Sequence, residues 1–345
     1  MSTINLSRFD GSGDTWDAFV RSQPGWSHFH LYGWRTLIER VFRHECIYLV
    51  ARTDDGAIAG ALPLVRLRSL VFGHFLVSMP FLNYGGPLGT GEAVAALVAE
   101  ARKIATASRT NMLELRSRAA LAIDMPVSHR KLTVLLDMPD TSEALWKALP
   151  AKLRSQVRRP QKENVTVRIG PQQLDAFYAV FAHHMRDLGT PVLPKRFFEA
   201  ARDIFADDII FAVAYHNERP VACGCGFLWG TEFEISWASA LRSHNAMSPN
   251  MLVYWELMAH VIARGARIFN FGRCTRDSGT YKFKMQWGGR EEQLWWYQQS
   301  RAGVAAEGAT PSQETGVFAL ASRAWKKLPV PVTTRLGPAI VRFIP

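Results

Sequence analysis

The chain has 345 residues, with 41 basic against 30 acidic side chains for a formal charge of +11, and is 48% hydrophobic and 21% charged. That length exceeds what one hydrophobic core usually serves, so two domains of ordinary globular composition are expected. No uninterrupted apolar run approaches the roughly 20 residues with which a helix spans a bilayer, so no transmembrane helix is expected.

The opening residues, MSTINLSRFDGSGD, lack the basic start and apolar core of a secretory signal, so action in the cytoplasm is expected. Apolar runs at 46–52 and 57–67 flank Asp54-Asp55-Gly56 and predict a β-hairpin. A turn-rich stretch, MPFLNYGGPLG from Met79 to Gly89, precedes a helix expected over 92–108. Asn83 and Tyr84 in that loop can hydrogen-bond an acceptor, and the helix N-terminus beyond favours anions. A short strand follows at 111–116, with Glu114 and Arg116 on one face. A pair two apart reads as a structural ion pair or as a replacement proton acceptor. Residues 151–163 then concentrate Lys152, Arg154, Arg158, Arg159 and Lys162 against Glu163 alone. They form either a polyanion contact or the solvated face of an interdomain helix.

The second half repeats this order. Runs at 209–215 and 220–229 flank Asn217-Glu218, a helix is expected over 249–264, and a strand over 267–273. Ser248 as N-cap, Pro249 at the first helical position and Gly265 as stop delimit that helix. Leu49 to Leu113 spans 64 positions and Ala212 to Phe269 spans 57, so two related α+β units are predicted. The four cysteines, Cys46, Cys223, Cys225 and Cys274, are too few for a disulfide framework. Cys223 and Cys225 read as packing residues on one strand face, because no second cysteine pair would complete a zinc site. His28 with His30, and His183 with His184, lack carboxylates at ligand spacing, and no metal is expected.

From Tyr281 the chain alternates, with Tyr281, Phe283, Met285 and Trp287 opposed to Lys282, Lys284 and Gln286. This predicts a strand with one apolar and one cationic face, suited to an anionic substrate or an oxyanion, or merely a solvated sheet edge. The closing segment 322–345 carries Arg323, Lys326, Lys327, Arg335 and Arg342 with no acid, beside Trp325 and several prolines. It reads either as an interfacial segment on an anionic membrane or as a tail packed across the protein.

Four stretches also carry a family resemblance: FNFGRCTRDSGTYKFKMQWGG (269–289), LPAKLRSQVRRPQKENVTVRIG (149–170), DLGTPVLPKRFFEA (187–200) and KKLPVPVTTRLGPAIVRFIP (326–345). Together they resemble FemAB-type transferases, tandem-GNAT enzymes best known for adding amino acids to peptidoglycan precursors. The last two are most similar to the FemAB-related branch associated with exosortase and exopolysaccharide gene clusters. The resemblance implies a mixed α/β (α+β) fold of two tandem GNAT-like, acyl-CoA N-acyltransferase-like domains. These are expected at 1–148 (acceptor side) and 149–300, with 301–345 as a basic tail packing back on the first domain or on the inner membrane.

The resemblance places Phe283 and Lys284 on the FK pair of Fem transferases, where the lysine is thought to stabilise the transition state. Tyr281 would help shape that pocket; Arg273, at the mouth of the same loop, reads either as a phosphate or carboxylate contact or as a surface charge after a strand end. Met79–Gly89 is similar to the acceptor-side G-P loop of the family, giving Asn83 and Tyr84 substrate-binding roles. Two departures stand out. Positions 88–91 are Leu, Gly, Thr and Gly, without the acid some relatives carry, which leaves the proton acceptor unassigned and Glu114 and Arg116 as substitutes. The turn from Arg242 to Pro249 lacks the glycines of acetyl-CoA-using GNAT proteins, which tilts the donor toward aminoacyl-tRNA, with acyl-CoA still open. Arg154 and Arg158 would then contact the tRNA backbone. The implied function is N-acyl or aminoacyl transfer to a nucleotide- or lipid-linked cell-envelope glycan precursor, without a bound cofactor. The other reading is a non-catalytic interaction protein that keeps the fold.

Overall fold

Short apolar runs separated by turn residues build two sheets in the computed structural model, which describes residues 4–301 and 316–345. Within the described residues, 4–132, 293–301 and 342–345 form one compact unit, and 133–292 with 316–341 form the other. The boundaries expected at 148 and 300 therefore fall inside an interleaved arrangement. Its cause is strand exchange, described below.

The first unit opens with β1 (Asn5–Arg8), α1 (Gly13–Ser22) and α2 (Gly33–Phe42). The hairpin β2 (Glu45–Arg52) and β3 (Ile58–Ser69) follows, then β4 (Gly73–Val77) and the short β5 (Leu88–Gly89). Helix α3 (Gly91–Ala107) leads to β6 (Met112–Ser117) and β7 (Val127–Ser128). Thr90 caps α3 by accepting from the Ala93 N–H. The apolar stripe of α3, including Leu97 and Ala101, packs on Leu49, Leu62, Leu64 and Leu113 of the sheet. Each such aliphatic side chain contributes about 1.5–3 kcal/mol on burial.

The second unit holds β8 (Leu132–Asp137), α4 (Ser142–Ala148), α5 (Ala151–Lys162), β9 (Thr166–Ile169), α6 (Leu174–Leu188) and α7 (Lys195–Ile204). Next come β10 (Ile209–His216), β11 (Arg219–Trp229), β12 (Glu232–Ala240), α8 (Pro249–Ala263), β13 (Ile268–Cys274), α9 (Gly279–Met285) and β14 (Arg290–Gln293). Phe177, Phe198, Phe211 and Trp237 form an edge-to-face aromatic cluster under its sheet. Cys223 and Cys225 are buried on β11. Strand β15 (Trp295–Ser300) and helices α10 (Gly316–Trp325) and α11 (Val330–Val341) close the chain.

The strand orders are β1-β2-β3-β4-β6-β15-β7 and, read from the matching edge, β9-β10-β11-β12-β13-β8-β14. Each is an antiparallel series, then a parallel neighbour reached across a helix, then a strand supplied from the other end of the chain. The duplication expected from hairpin–helix–strand spacing is thus present in the topology. β15 follows the second unit yet lies in the first sheet, and β8 follows the first unit yet lies in the second.

The basic tail packs on protein. Arg186 of α6 donates to the Leu328 carbonyl at 2.9 Å, ahead of α11. In the first unit, His44 Nε2 donates to the Arg342 carbonyl at 2.7 Å, and the Arg342 guanidinium donates to the Phe42 carbonyl. Among the described residues, no helix is long and apolar enough to cross a membrane.

Candidate active site

In the second unit β12 and β13 pair in parallel only from Glu232–Ile268 to Glu234–Asn270, although β12 runs on to Ala240 and β13 to Cys274. The strands fork beyond that point, so backbone groups along the inner edges need other partners. Asn270 sits at the fork. Its Nδ2 donates to Glu232 at 2.7 Å and Glu234 at 3.2 Å, and its Oδ1 accepts from Thr133 at 2.5 Å and the Gly272 N–H at 2.9 Å. All four of those side chains are buried.

Gly272 has φ +68°, a left-handed conformation that a glycine adopts without Cβ strain. Successive carbonyls of a regular strand point to opposite sides, and the reversal at Gly272 lets two of them face one way. Lys284 uses both: its Nζ donates to the carbonyls of Gly272 at 2.6 Å and Arg273 at 2.8 Å. Lys284 is only 7% exposed. Burial pushes its pKa down to about 8, Cys274 and Glu234 oppose that shift, and Arg273 adds to it.

The strand expected at 281–287 is instead helix α9. Ser278 overrides the alternation by capping: its Oγ accepts from the Tyr281 N–H at 3.2 Å and donates to the Thr275 carbonyl at 2.6 Å. Helical spacing separates the two lysines expected on one face. Lys284 turns inward with Trp287, three residues on, while Lys282 is exposed. Phe283 meets the ring of Tyr254 edge-on at 5.0 Å. The Tyr281 hydroxyl donates to Glu291, which also pairs with Arg276 at 2.6 Å. Arg273 is exposed on β13, one residue after Gly272.

The remaining sequence candidates lie elsewhere. Arg154 is spent on structure, donating to the carbonyls of Leu149 at 2.7 Å and Lys147 at 3.3 Å at the end of α4. Arg158 is exposed and lies over the Trp146 ring at 5.1 Å. With Arg159 and Lys162 it borders an open basic groove of about 400 Å³.

In the first unit Glu114 and Arg116 share one face of β6, sealed in the interior rather than facing a solvent-filled acceptor site. Arg116 pairs with Glu114 at 2.6 Å, donates to the Leu82 carbonyl at 2.8 Å, and lies over the Trp296 ring at 4.4 Å. Gln298 donates to the other Glu114 oxygen at 2.5 Å. Tyr84 is likewise buried, its ring 5.4 Å from Phe29 and 5.2 Å from the Arg118 guanidinium, and Asn83 is buried next to it. The G-P loop does border a cavity of about 180 Å³, through Gly86, Pro87 and Leu88 with His30, Ser117 and Arg118. A Cβ on Gly86 would stand 2.8 Å from the Arg116 carbonyl, so the loop lies against β6 only as glycine. His30 binds the Gly86 carbonyl through Nε2 at 3.1 Å, and burial pushes its pKa down to about 4.

Sequence reasoning missed Glu232, Glu234, Asn270 and Thr133. The visible signal was EFEIS at 232–236, where two acids alternate with apolar residues in a strand otherwise fit for the core.

Two exchanged-strand sheets, each with a helix crossing between forking parallel strands, define a tandem GNAT fold. Residues 150–285 match the family model of the acetyltransferase (GNAT) domain. The chain is similar to the crystal structure of FemX, at 14% identity over 84% of this chain and 97% of that one, with a TM-score of 0.63. It is also similar to the C-terminal domain of a putative lysylphosphatidylglycerol synthetase from Agrobacterium fabrum, at 13% identity over 84% and 92%, TM-score 0.54. A tandem GNAT protein from the clavulanic acid biosynthesis pathway matches at 13% identity over 88% and 100%, TM-score 0.53. At these identities the likeness is one of fold, and it carries the FemAB-type resemblance at that level. None of the curated proteins matches the sequence.

Proposed function

We propose that the chain is an acyl or aminoacyl transferase acting on an amine or hydroxyl of a cell-envelope glycan precursor, of peptidoglycan or exopolysaccharide type. Lys284 carries the reading. Two of its three N–H groups are committed to the carbonyls of Gly272 and Arg273, which fixes the ammonium and leaves one donor for an incoming group. With its pKa near 8 it is charged at neutral pH. In acyl transfer the acceptor attacks the acyl carbon, a C–N or C–O bond forms, and the ester or thioester bond to the carrier breaks. The acceptor's proton passes to the departing group, and a fixed ammonium stabilises the carbonyl oxyanion between these events.

The donor in this reading is aminoacyl-tRNA in preference to acyl-CoA. The glycine-free turn before α8 winds as a short helix over Arg242–Met247, and exposed Arg158, Arg159 and Lys162 supply phosphate contacts. The lysylphosphatidylglycerol synthetase among the fold relatives supports both an aminoacyl donor and a lipid-linked acceptor. The protein would work in the cytoplasm, with exposed Arg323, Lys326, Lys327 and Arg335 giving peripheral inner-membrane contact.

The test is mass spectrometry of donor co-purified with the protein, alongside envelope-glycan analysis of a deletion strain. Bound aminoacyl-tRNA or acyl-CoA with altered glycans supports the reading; unchanged glycans and peptidoglycan overturn it. A non-catalytic interaction protein is the second reading, favoured by the lack of an acid at 88–91 and of glycine in the turn from Arg242 to Pro249. On that reading Lys284→Met and Lys282→Met behave alike in single-turnover assays.

A further inference from the structure

The turn between β3 and β4 presents Leu70 and Val71 to solvent at relative exposures of 107% and 84%, the highest among the exposed large hydrophobic residues. The tip is built to do so. Ser69 Oγ accepts from the N–H groups of Val71 at 3.2 Å and Phe72 at 3.1 Å, and Gly73 turns the chain at φ +99°. Two adjacent aliphatic side chains held out on a hydrogen-bonded turn are an unfavourable arrangement for a surface that meets only water.

Behind the tip basic side chains outnumber acidic ones. Arg66 and Arg68 lie on one face of β3 at the same end of the hairpin. They line an open groove of about 390 Å³ with Arg43, Arg342 and Phe343, and Glu45 is its acidic residue. Glu45 is already shared between Arg66 at 2.7 Å and Arg8 at 3.3 Å. The local field is strong enough to act on its neighbours: Arg68 and Arg66 add to burial in lowering the His74 pKa. His44 donates to the Arg342 carbonyl, which holds the C-terminal Phe343 beside the groove.

We propose that this hairpin is a membrane-docking element, in which Leu70 and Val71 enter the interface of an anionic bilayer while the exposed Arg43 and Arg68 engage lipid phosphates. Apolar side chains projecting beyond a ring of arginines match the layered chemistry of that interface, acyl chains under a plane of negative headgroups. A folded protein partner would instead need a patch broader than one turn. The inference does not rest on the transfer chemistry; a chain that binds no vesicles also loses the membrane contact assigned to the tail, whereas the serine variants test the hairpin alone.

The experiment is flotation of the full chain with phosphatidylcholine vesicles, with and without phosphatidylglycerol. Binding is expected only with phosphatidylglycerol and should weaken as salt rises. Leu70→Ser with Val71→Ser should lower it by at least about tenfold, and Arg43→Gln or Arg68→Gln by about fivefold each. Val71→Cys carrying an environment-sensitive fluorophore should shift to the blue on these vesicles and not with inorganic phosphate. The proposal is overturned if the double-serine variant floats like the parent, or if the label stays in water while the protein is bound. It is equally overturned if the chain binds no vesicles and the serines abolish a concentration-dependent dimer.

Discussion

Replacing Lys284 by Met tests the candidate site through stability as well as rate. The fall of its pKa from 10.5 to about 8 means that burying the ammonium withholds about 3 kcal/mol at neutral pH. The unfolded chain holds this proton more tightly, so between pH 8 and 10.5 it binds more protons than the folded chain, and stability rises with pH across that window. Methionine removes the burden but leaves two carbonyls at the fork unpaired, each at about 1–3 kcal/mol. The terms oppose each other and are of similar size, so Tm at neutral pH should change little. The alkaline rise in stability should disappear. Denaturant titrations from neutral pH to 10.5 read this directly, and parallel curves for the two proteins would refute the buried-ammonium account. Turnover should fall about 100- to 1000-fold. Exposed Lys282, on the same helix, is the control and should be mild as Lys282→Met.

In the first unit, burial holds His30 near pKa 4 against 6.5, so stability should drop by about 3 kcal/mol as pH falls through that interval; His30→Gln should flatten the acid limb of a Tm–pH curve, and an unchanged limb counts against it. Glu114→Ala strips the buried Arg116 of its partner and should destabilise by about 3–5 kcal/mol, read by urea midpoint, with a loss below about 1 kcal/mol contradicting a sealed ion pair. Arg158→Gln with Lys162→Gln should weaken tRNA binding and lower its salt slope by about 2 at constant stability, whereas Arg154→Gln should lower stability because that side chain caps α4; the opposite pattern would assign the groove a structural role.

The fold was legible because its signals are local and repeated. Both hairpins, both crossover helices and both following strands lie within a few residues of their expected positions, each fixed by turn residues and apolar runs that tertiary structure had no reason to override. Strand exchange was not legible: β8 and β15 look like any short apolar strand, and which sheet receives them depends on pairing at long range. Around Lys284 the residue pattern predicts a strand where the structure has a helix. Lys284 was singled out on a period of two, but the alternation in YKFKMQW is compatible with a short helix once Ser278 supplies a cap. One capping oxygen decides whether Lys282 and Lys284 are neighbours on a face or lie on different sides of a helix. Glu114 with Arg116 showed the reverse limitation, since spacing revealed the pair while only burial revealed that it is sealed.

The two sheets differ at their forks, and the difference supports the transferase proposal at Lys284. The parallel pairing ends at Val77–Glu114 in one and at Glu234–Asn270 in the other, so Glu114 and Asn270 occupy matching positions. Two residues further on stand Arg116 and Gly272. In the first unit Arg116 plugs its own fork: the guanidinium is held by Glu114 and the Leu82 carbonyl, and the backbone N–H by Ser78 Oγ at 2.8 Å, which ties β6 back to the end of β4. In the second unit Gly272 carries no side chain at that position and reverses the backbone. The cation arrives instead from α9, anchored on main-chain carbonyls and not on a carboxylate. A cation neutralised by a carboxylate has little left to give a developing oxyanion. One held by neutral carbonyl dipoles, with burial already weakening its grip on the proton, keeps both its charge and a donor for the reacting group.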